Sequence, residues 1–427
     1  MHVRYRPDAP LVEPRWNAPT RVQTIVRPVI EPTPPPQRPE RPQPSQRPQP
    51  PPVTGQRHRA RPRRRSPLWA RLAVTLGAVV LMLSVGALAG AHVLIDEATR
   101  NITQDNLLGD GSKSAAEGGD SVDGAIDMLL LGVDVRESWQ ENNTRADTIV
   151  ILHIPATHDQ AFLISVPRDM LAEIPPFERN GFPGATAKVN DAFYYGAQNG
   201  GDWAGGAQLM AETLKKATGI GFDGAAIIDF GGFKNVIDAL GGVRMCVDEE
   251  TVSHHMVLVD GEQMYKTDAR RAGQRWAAEP VVYQQGCQEM NGTQALDFSR
   301  QRYSLSDGDY GRQRHQQQMI KAIVRKATSS GVTTNPLQVN NLIHAAGAAF
   351  TLDTGGIPIA DFIFALKGVP AGDVLTLNTN GGRFNPVTIE GTEYEQLSDL
   401  SVTMFEAVRE DRLLDFVVEN PAVVSRS

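Results

Sequence analysis

The chain has 427 residues, a formal net charge of −7 and only two cysteines. That length holds two or three average domains, or one large domain with extras. The two cysteines do not have the spacing of a zinc site. The mild overall charge hides an uneven distribution: residues 1–71 contain fifteen Arg, no Lys and four acids, a surplus of +11, so the remainder carries −18.

In chain order, residues 1–67 come first. They are rich in Arg and Pro, as in Pro32-Thr33-Pro34-Pro35-Pro36 and Pro48-Gln49-Pro50-Pro51-Pro52. Such a stretch lacks the apolar side chains that offset ordering entropy, so it is expected to be disordered or polyproline-like. It ends in Arg57-His58-Arg59-Ala60-Arg61-Pro62-Arg63-Arg64-Arg65. Residues 68–95 then read as one transmembrane helix, because Leu72 to Ile95 contains no Asp, Glu, Lys or Arg. At about 1.5 Å per residue this run is roughly 36 Å long, enough to cross ~30 Å of hydrocarbon with some tilt. Arg63, Arg64, Arg65 and Arg71 lie on one side and Asp96 and Glu97 on the other. Positive charge stays inside, which predicts a cytoplasmic N-terminus and an external body. A cleaved signal peptide is the competing reading, with Ala87-Leu88-Ala89 as its cleavage site. The apolar run, however, continues for six residues beyond Ala89. The basic run beside the membrane is read as a topology signal that meets anionic lipid, and no nucleic-acid partner is expected.

Residues 96–122 are polar and rich in Gly, Ser and Asp, and read as a linker. A body over 123–420 follows. Ile126 to Val133, Thr148 to Ile154 and Ala161 to Val166 fit short buried strands. Ala204 to Thr218 reads as a helix closed by Gly219. Ala225 to Phe230 is a strand, Phe233 to Leu240 a helix, and Val243 to Val247 a strand. This alternation predicts an α/β fold, an α/β/α sandwich around a central mixed sheet. Asn291 to Phe298 and Asp309 to Ala327 read as helices, as do 336–350 and 359–368. The tail beyond Asn420 is expected to fray. Cys246 and Cys287 lie beyond the membrane, and in an oxidising compartment they pair, at a value of about 4 kcal/mol in the chain-entropy model. Two buried free thiols are the alternative.

Charge against an apolar background marks a candidate site. The helix from Asp309 carries the stripe Met319, Ile320, Ile323 and Val324. Stepping back by three or four residues gives Gln316 and then Arg312, so the face that enters the core starts with an arginine and a glutamine. Arg300, Arg302, Arg312 and Arg314 fall around the turn Asp307-Gly308-Asp309-Tyr310-Gly311. Guanidinium groups gathered at loops and helix starts suit phosphate, which they hold bidentately. Asp134 follows the first strand, Arg145 and Asp147 come directly before the second, and Arg168 and Asp169 end the third. Strand ends are where α/β proteins build sites. Hard oxygen ligands such as Asp134 and Asp147 suit Mg²⁺, and a pyrophosphate between arginines and Mg²⁺ is set up for phosphoryl transfer. No P-loop, GxGxxG or Ser-His-Asp signature competes. His153, His254 and His255 read as structural or surface residues.

With these segments in place, the chain resembles the LytR–CpsA–Psr family of cell-envelope glycopolymer transferases. The resemblance rests on Leu129-Leu130-Leu131-Gly132-Val133-Asp134, Arg145-Ala146-Asp147-Thr148-Ile149, Ile164-Ser165-Val166-Pro167-Arg168-Asp169 and Lys188-Val189-Asn190-Asp191-Ala192-Phe193. It continues through Asp238-Ala239-Leu240-Gly241-Gly242-Val243, Ala295-Leu296-Asp297-Phe298-Ser299-Arg300-Gln301-Arg302 and Gly308-Asp309-Tyr310-Gly311-Arg312-Gln313-Arg314-His315-Gln316-Gln317. It implies a single-pass cell-membrane protein with its catalytic domain outside the cytoplasm. Such a protein binds a polyprenyl-pyrophosphate-linked glycan donor and transfers the glycopolymer, through a phosphodiester, to a muramic acid 6-hydroxyl of a peptidoglycan acceptor. Residue by residue, it implies Mg²⁺ at Asp134 and Asp147, and pyrophosphate at Arg168, Arg300, Arg302, Arg312 and Gln316. Asp309 is a further pocket acid, and Arg145, Lys188 and Arg314 sit in motifs that contact substrate. His315 departs from the family pattern, which commonly has Arg there. The cysteine pair and the Arg/Pro-rich tail resemble actinobacterial members, with arabinogalactan or a related polymer as the implied cargo. A non-catalytic envelope sensor signalling through residues 1–71, and a hydrolase that splits the pyrophosphate with water, share the same residues.

Overall fold

A computed structural model describes residues 103–119, 121–133, 144–273, 279–329, 344–345, 350–357, 369 and 373–425. The expected tail over 1–67 and the membrane helix over 68–95 lie outside these residues, and so do nearly all of the helices expected over 336–350 and 359–368. Among the described residues no helix is long and apolar enough to cross a membrane.

The apolar runs become strands as their composition requires. β1 (Thr103–Gln104) is followed by β2 (Ile126–Val133), β3 (Ala146–Ile154) and β4 (Ala161–Ser165). β5 (Leu171–Ile174) and β6 (Ala185–Lys188) pair as a separate hairpin, and β7 (Gly224–Asp229) returns to the main sheet. β8 (Val243–Val247), β9 (Thr251–Val259), β10 (Glu262–Tyr265), β11 (Pro280–Tyr283) and β12 (Gly286–Met290) form two small sheets. β13 (Phe350–Asp353) and β14 (Val374–Asn378) complete the main sheet, and β15 (Pro386–Ile389) pairs with β16 (Thr392–Glu395). The helices are α1 (Val189–Ala197), α2 (Asp202–Thr218), α3 (Phe230–Ala239), α4 (Lys266–Arg271), α5 (Gly292–Ser299), α6 (Asp309–Ser329), α7 (Asp399–Arg409) and α8 (Leu413–Glu419).

The main sheet has seven strands in the order β1-β13-β7-β2-β3-β4-β14. β2 runs parallel to β7 and antiparallel to β3, while β4 runs antiparallel to β3 and parallel to β14, so the sheet is mixed. Both faces of β2 are buried, in keeping with its unbroken apolar run. Leu129, Leu131 and Val133 enter a core shared with Val189, Phe193, Leu209 and Met210 of α1 and α2, and with Met404 and Phe416 of α7 and α8. Ile126 and Met128 point to the other face, against Leu163, Val374 and Ile320 of α6. Two-residue periodicity therefore splits each strand between two helical layers. α2 ends where Gly219 adopts φ 75°, and α5 starts at a capping box in which the Asn291 side chain accepts from Gln294 N–H and Gln294 accepts from Asn291 N–H.

Two expectations are corrected. Much of the 96–122 linker belongs to the domain. β1 pairs with β13, Leu107 and Leu108 are buried in the core, and their N–H groups donate to Asp353 Oδ2. Polar composition misled here because the domain, not a local ladder, satisfies this segment's backbone. The tail beyond Asn420 does not fray over its described part. Val423 is buried, Val424 bridges Leu377 and Ser425 N–H donates to Thr376 O at 2.8 Å, which covers the β14 edge of the sheet.

The same former linker delivers Lys113 into a buried ion cluster. Its Nζ stands 2.8 Å from Asp127 Oδ2 and 2.6 Å from Asp223 Oδ2. Asp127 lies opposite His153 in the β2–β3 register, with Oδ1 2.7 Å from His153 Nδ1, and Asp411 Oδ1 stands 3.4 Å from His153 Nε2. His153 is thus a structural histidine. Burial alone would lower its pKa, but the carboxylates of Asp127 and Asp411 outweigh burial and hold it up to about 9.

Cys246 and Cys287 form a disulfide between directly opposed positions of β8 and β12, across a separation of 41 residues. The Cys246 backbone turns the other way. Its N–H donates to Gln318 Oε1 and its C=O accepts from Gln318 Nε2, so the linked pair of strands is tied to α6.

Two outcomes follow. A raised folded-state pKa gives stability that is fully present below the usual value of 6.5 and is lost as pH rises through about 9. Melting temperature should therefore fall between pH 6.5 and 9, by the equivalent of at most about 3 kcal/mol, and His153→Gln should remove most of that slope. Reduction of Cys246–Cys287 should destabilise the domain by up to about 4 kcal/mol, seen as a lowered urea midpoint.

Candidate active site

The strand directions bring one set of ends together. β2, β4, β7 and β14 all finish at the edge where β3 begins. Asp147 is the second residue of β3, Arg168 follows β4, and Phe230 opens α3 directly after β7. The N-terminus of α6 lies against this edge. Gly311 lets the turn before α6 fold closely onto the helix, since a Cβ there would stand 2.2 Å from Asp307 Oδ1 and 2.8 Å from a Leu305 methyl.

Arg168 and Arg312 form the centre of the site. Arg168 Nη1 donates to Asp147 Oδ1 at 2.9 Å, and its Nε lies 3.8 Å from Asp169 Oδ2 and 3.9 Å from Asp309 Oδ1. Arg312 Nη2 pairs with Asp309 Oδ1 at 2.7 Å, and the residue is only 8% exposed. Burial pushes the Arg312 pKa down, helped by the charges of Arg168 and Arg302 against the pull of Asp309 and Asp147. Burial also opposes the charge on Arg168, but Asp147 and Asp309 outweigh it and the pKa rises. The Nε of each guanidinium is buried with no hydrogen-bond partner among the described residues. Two buried cationic donors in one place offer hydrogen bonds that an anion can accept.

The other sequence-predicted residues divide around this centre. Gln316 is buried one turn beyond Arg312, and Arg300 lies with its guanidinium 4.3 Å over the Phe230 ring. Both border a narrow apolar slot with Phe230, Phe233, Met319 and Ile320. The slot has a volume of only about 10 Å³, room for a single water, so a larger apolar occupant requires α3, α5 and α6 to part. Arg302 packs over Tyr303 at 4.7 Å. Lys188 Nζ donates to Asp169 Oδ1 at 2.9 Å. Arg145 holds Asp191 at 2.8 Å and covers Tyr194, on α1 beside the cluster rather than in it.

Arg314 is not brought to the site. Two residues along a helix rotate a side chain by about 200°, so Arg314 faces away from Arg312. It pairs with Asp307 and, through Nε and Nη2, with Asp248 Oδ2 at 2.8 and 2.6 Å. His315 turns the same way: it stacks on Phe298 at 4.1 Å and contacts Asp248 Oδ1 at 3.0 Å. The departure at His315 therefore removes no charge from the cluster. Burial would raise the Asp248 pKa, but His315 and Arg314 hold it well below the usual carboxylate range. Asp134 lies outside the described residues. Among the described residues no group of three or more His, Cys, Asp or Glu is placed to hold a metal. Asp147 still suits a hard cation, since Arg168 engages its Oδ1 and its side chain is 28% exposed.

Sequence reasoning missed Tyr310, Asn380 and Glu395. Tyr310 donates from its buried hydroxyl to Glu395 Oε1 at 2.8 Å, and Asn380 Nδ2 and Asn385 N–H donate to the same oxygen. Burial, then the Glu395 contact, pushes the Tyr310 pKa far up, so the phenol stays a donor. This network fixes the β15–β16 hairpin beside the start of α6. Tyr310 lies inside a quoted motif, but Glu395 ends a four-residue strand too short to show a period, and Asn380 lies in a short 3-10 turn.

Comparison with known proteins bears on the family and the fold. Residues 92–408 match the LytR_cpsA_psr family. The chain is 30% identical over 239 residues to the probable cell wall biosynthesis protein LcpB of Corynebacterium glutamicum, covering 53% of this chain and 48% of that protein. It is 28% identical over 219 residues to the polyisoprenyl-teichoic acid–peptidoglycan teichoic acid transferase TagU of Oceanobacillus iheyensis, covering 51% and 57%. The chain thus spans about half the length of these curated relatives. Protein gbs0355 of Streptococcus agalactiae shares the fold, with a TM-score of 0.53 and 20% identity over 70% of this chain and 91% of that one. With the matched segment spanning most of the sequence and the arginine cluster at its centre, the chain belongs to the LytR–CpsA–Psr family.

Proposed function

We propose that this protein is a membrane-anchored phosphotransferase that moves a glycopolymer from a polyprenyl-pyrophosphate carrier onto peptidoglycan. The observation that carries the proposal is the pair of half-buried Arg168 and buried Arg312 at the strand-end edge, each with its Nε–H buried and unpartnered among the described residues. A member of a family whose relatives include a named teichoic acid transferase has, at that pair, the donors a pyrophosphate needs.

The acceptor hydroxyl oxygen attacks the phosphorus that bears the glycan, and the bond from that phosphorus to the bridging pyrophosphate oxygen breaks. Polyprenyl phosphate leaves, and a phosphodiester joins glycan to acceptor. Arg168 and Arg312 hold the phosphate oxygens and offset the charge that grows on the leaving group. Asp309 touches Arg312 and borders a second cavity of about 210 Å³, so it is the carboxylate placed to take the hydroxyl proton. Gln316 and Arg300 stand between the arginine pair and the apolar slot, where the first part of the lipid would enter once the slot opens. Asp147, with Asp134, would hold Mg²⁺, which when bound neutralises phosphate charge. The membrane helix over 68–95 would confine the domain to the layer that holds its lipid-linked donor, which raises the rate of encounter.

Arg168→Ala and Arg312→Ala should each lower transfer by about 10²–10³-fold, the loss of one charge-assisted contact at the reacting phosphate. Release of polyprenyl phosphate together with glycan incorporation into peptidoglycan measures this, and wild-type rates in either variant would defeat the proposal. Chelation should stop transfer and added Mg²⁺ restore it. Activity that survives exhaustive chelation would remove the metal from the account.

A further inference from the structure

The second cavity lies at the first turn of α6, beside the arginine pair but away from the apolar slot. Its walls come from the loop after β4, from α6 and from the β15–β16 hairpin. The loop and hairpin are fastened together, because Glu395 N–H donates to Asp169 O at 2.9 Å and Tyr310 bonds Glu395. The cavity is therefore held open by polar contacts of its own.

Its lining has a definite chemistry. Phe384 is 58% exposed at the rim, braced edge-on by Tyr310 at 5.0 Å, and Tyr394 stands nearby, half-buried. Asp169, Asp309, Glu393 and Glu395 supply carboxylates against one cation, Lys188, which also lines the cavity and pairs with Asp169 at 2.9 Å, so the lining stays acidic. Gln313 also lines it. Gln313 is 5% exposed, its Nε2 donates to Asp309, and its Oε1 has no hydrogen-bond partner among the described residues. Carboxylates repel phosphate, and their polarity disfavours a lipid chain. Aromatic faces that meet C–H groups, with carboxylates that accept from hydroxyls, are what a sugar ring requires.

Position along α6 gives the cavity its place in the reaction. Asp309, Arg312 and Gln316 occupy one face at spacings of three and four residues. The sugar-compatible cavity is at Asp309, the phosphate donors are at Arg312, and the apolar slot is at Gln316, all within roughly 10 Å of helix. A lipid phosphate leaving toward one end requires the incoming hydroxyl from the other, since attacking and leaving oxygens are in line.

We infer that this cavity, walled by the β15–β16 hairpin, is the binding subsite for the carbohydrate acceptor. The inference rests on the transferase reading above and adds to it the residues that choose the acceptor. The other source of the same chemistry is the glycan of the donor itself, and kinetics separates the two. The test uses the full chain in detergent, a polyprenyl-pyrophosphate-linked oligosaccharide donor and a soluble peptidoglycan oligosaccharide. Phe384→Ala and Glu393→Gln alter exposed side chains, and melting curves verify that both variants fold. Each should raise the acceptor KM by about tenfold while the donor KM keeps its wild-type value. A rise in donor KM instead, or no change in either, overturns the inference. If the wild-type protein transfers nothing, the transferase reading fails separately. Titration of the same oligosaccharide then decides the subsite: binding weakened by both substitutions upholds it, and undetectable binding or unaltered affinity overturns it.

Discussion

Two guanidinium groups repel, and burial makes the repulsion worse because water no longer screens it. Arg168 and Arg312 share one partly buried site because Asp147 and Asp309 stand against them. Neither carboxylate satisfies its arginine fully, and both Nε–H groups lack a hydrogen-bond partner among the described residues. The arrangement is stable enough to form and incomplete enough to welcome an anion. Removing one acid leaves an uncompensated buried charge, which costs more than the contact is worth.

Everything around the cluster serves to fix α6. Its polar residues act as fasteners rather than as a solvated face. Gln317 donates to Leu163 O and Leu377 O on two adjacent strands of the main sheet, and Gln318 takes both backbone groups of Cys246. Arg314 and His315 grip Asp248, and Tyr310 grips Glu395. Four directions of attachment leave the helix little freedom to rotate, which keeps Arg312 aimed at the strand ends. The disulfide acts through the same path, since it stiffens the two strands that Gln318 holds.

How much of this was legible varies by element, for physical reasons. Long apolar runs announced β2, β3, β4 and β8 within a residue or two, because their side chains are buried on both faces or fully on one. Arg312 and Gln316 were legible from helical spacing as extensions of the apolar stripe; whether they entered the core or capped the stripe at its rim was open, and the structure buries both. Arg314 was not separable from them by composition. Only the rotation between positions 312 and 314 assigns it to Asp248. Leu107, Leu108 and Lys113 were hidden in a segment whose partners, Asp353, Asp127 and Asp223, lie far along the chain. The β15–β16 hairpin was hidden by brevity, and with it the acidic, aromatic cavity beside Asp309.

We propose the Arg168–Arg312 pair as a pyrophosphate receptor. The most direct measurement compares equilibrium affinity of the protein for a short polyprenyl pyrophosphate and for the polyprenyl alcohol of equal chain length. Two charge-assisted hydrogen bonds at a buried site predict tighter binding of the pyrophosphate by about a hundredfold or more. Equal affinity for the two lipids would contradict the account, because recognition would then lie in the apolar chain alone.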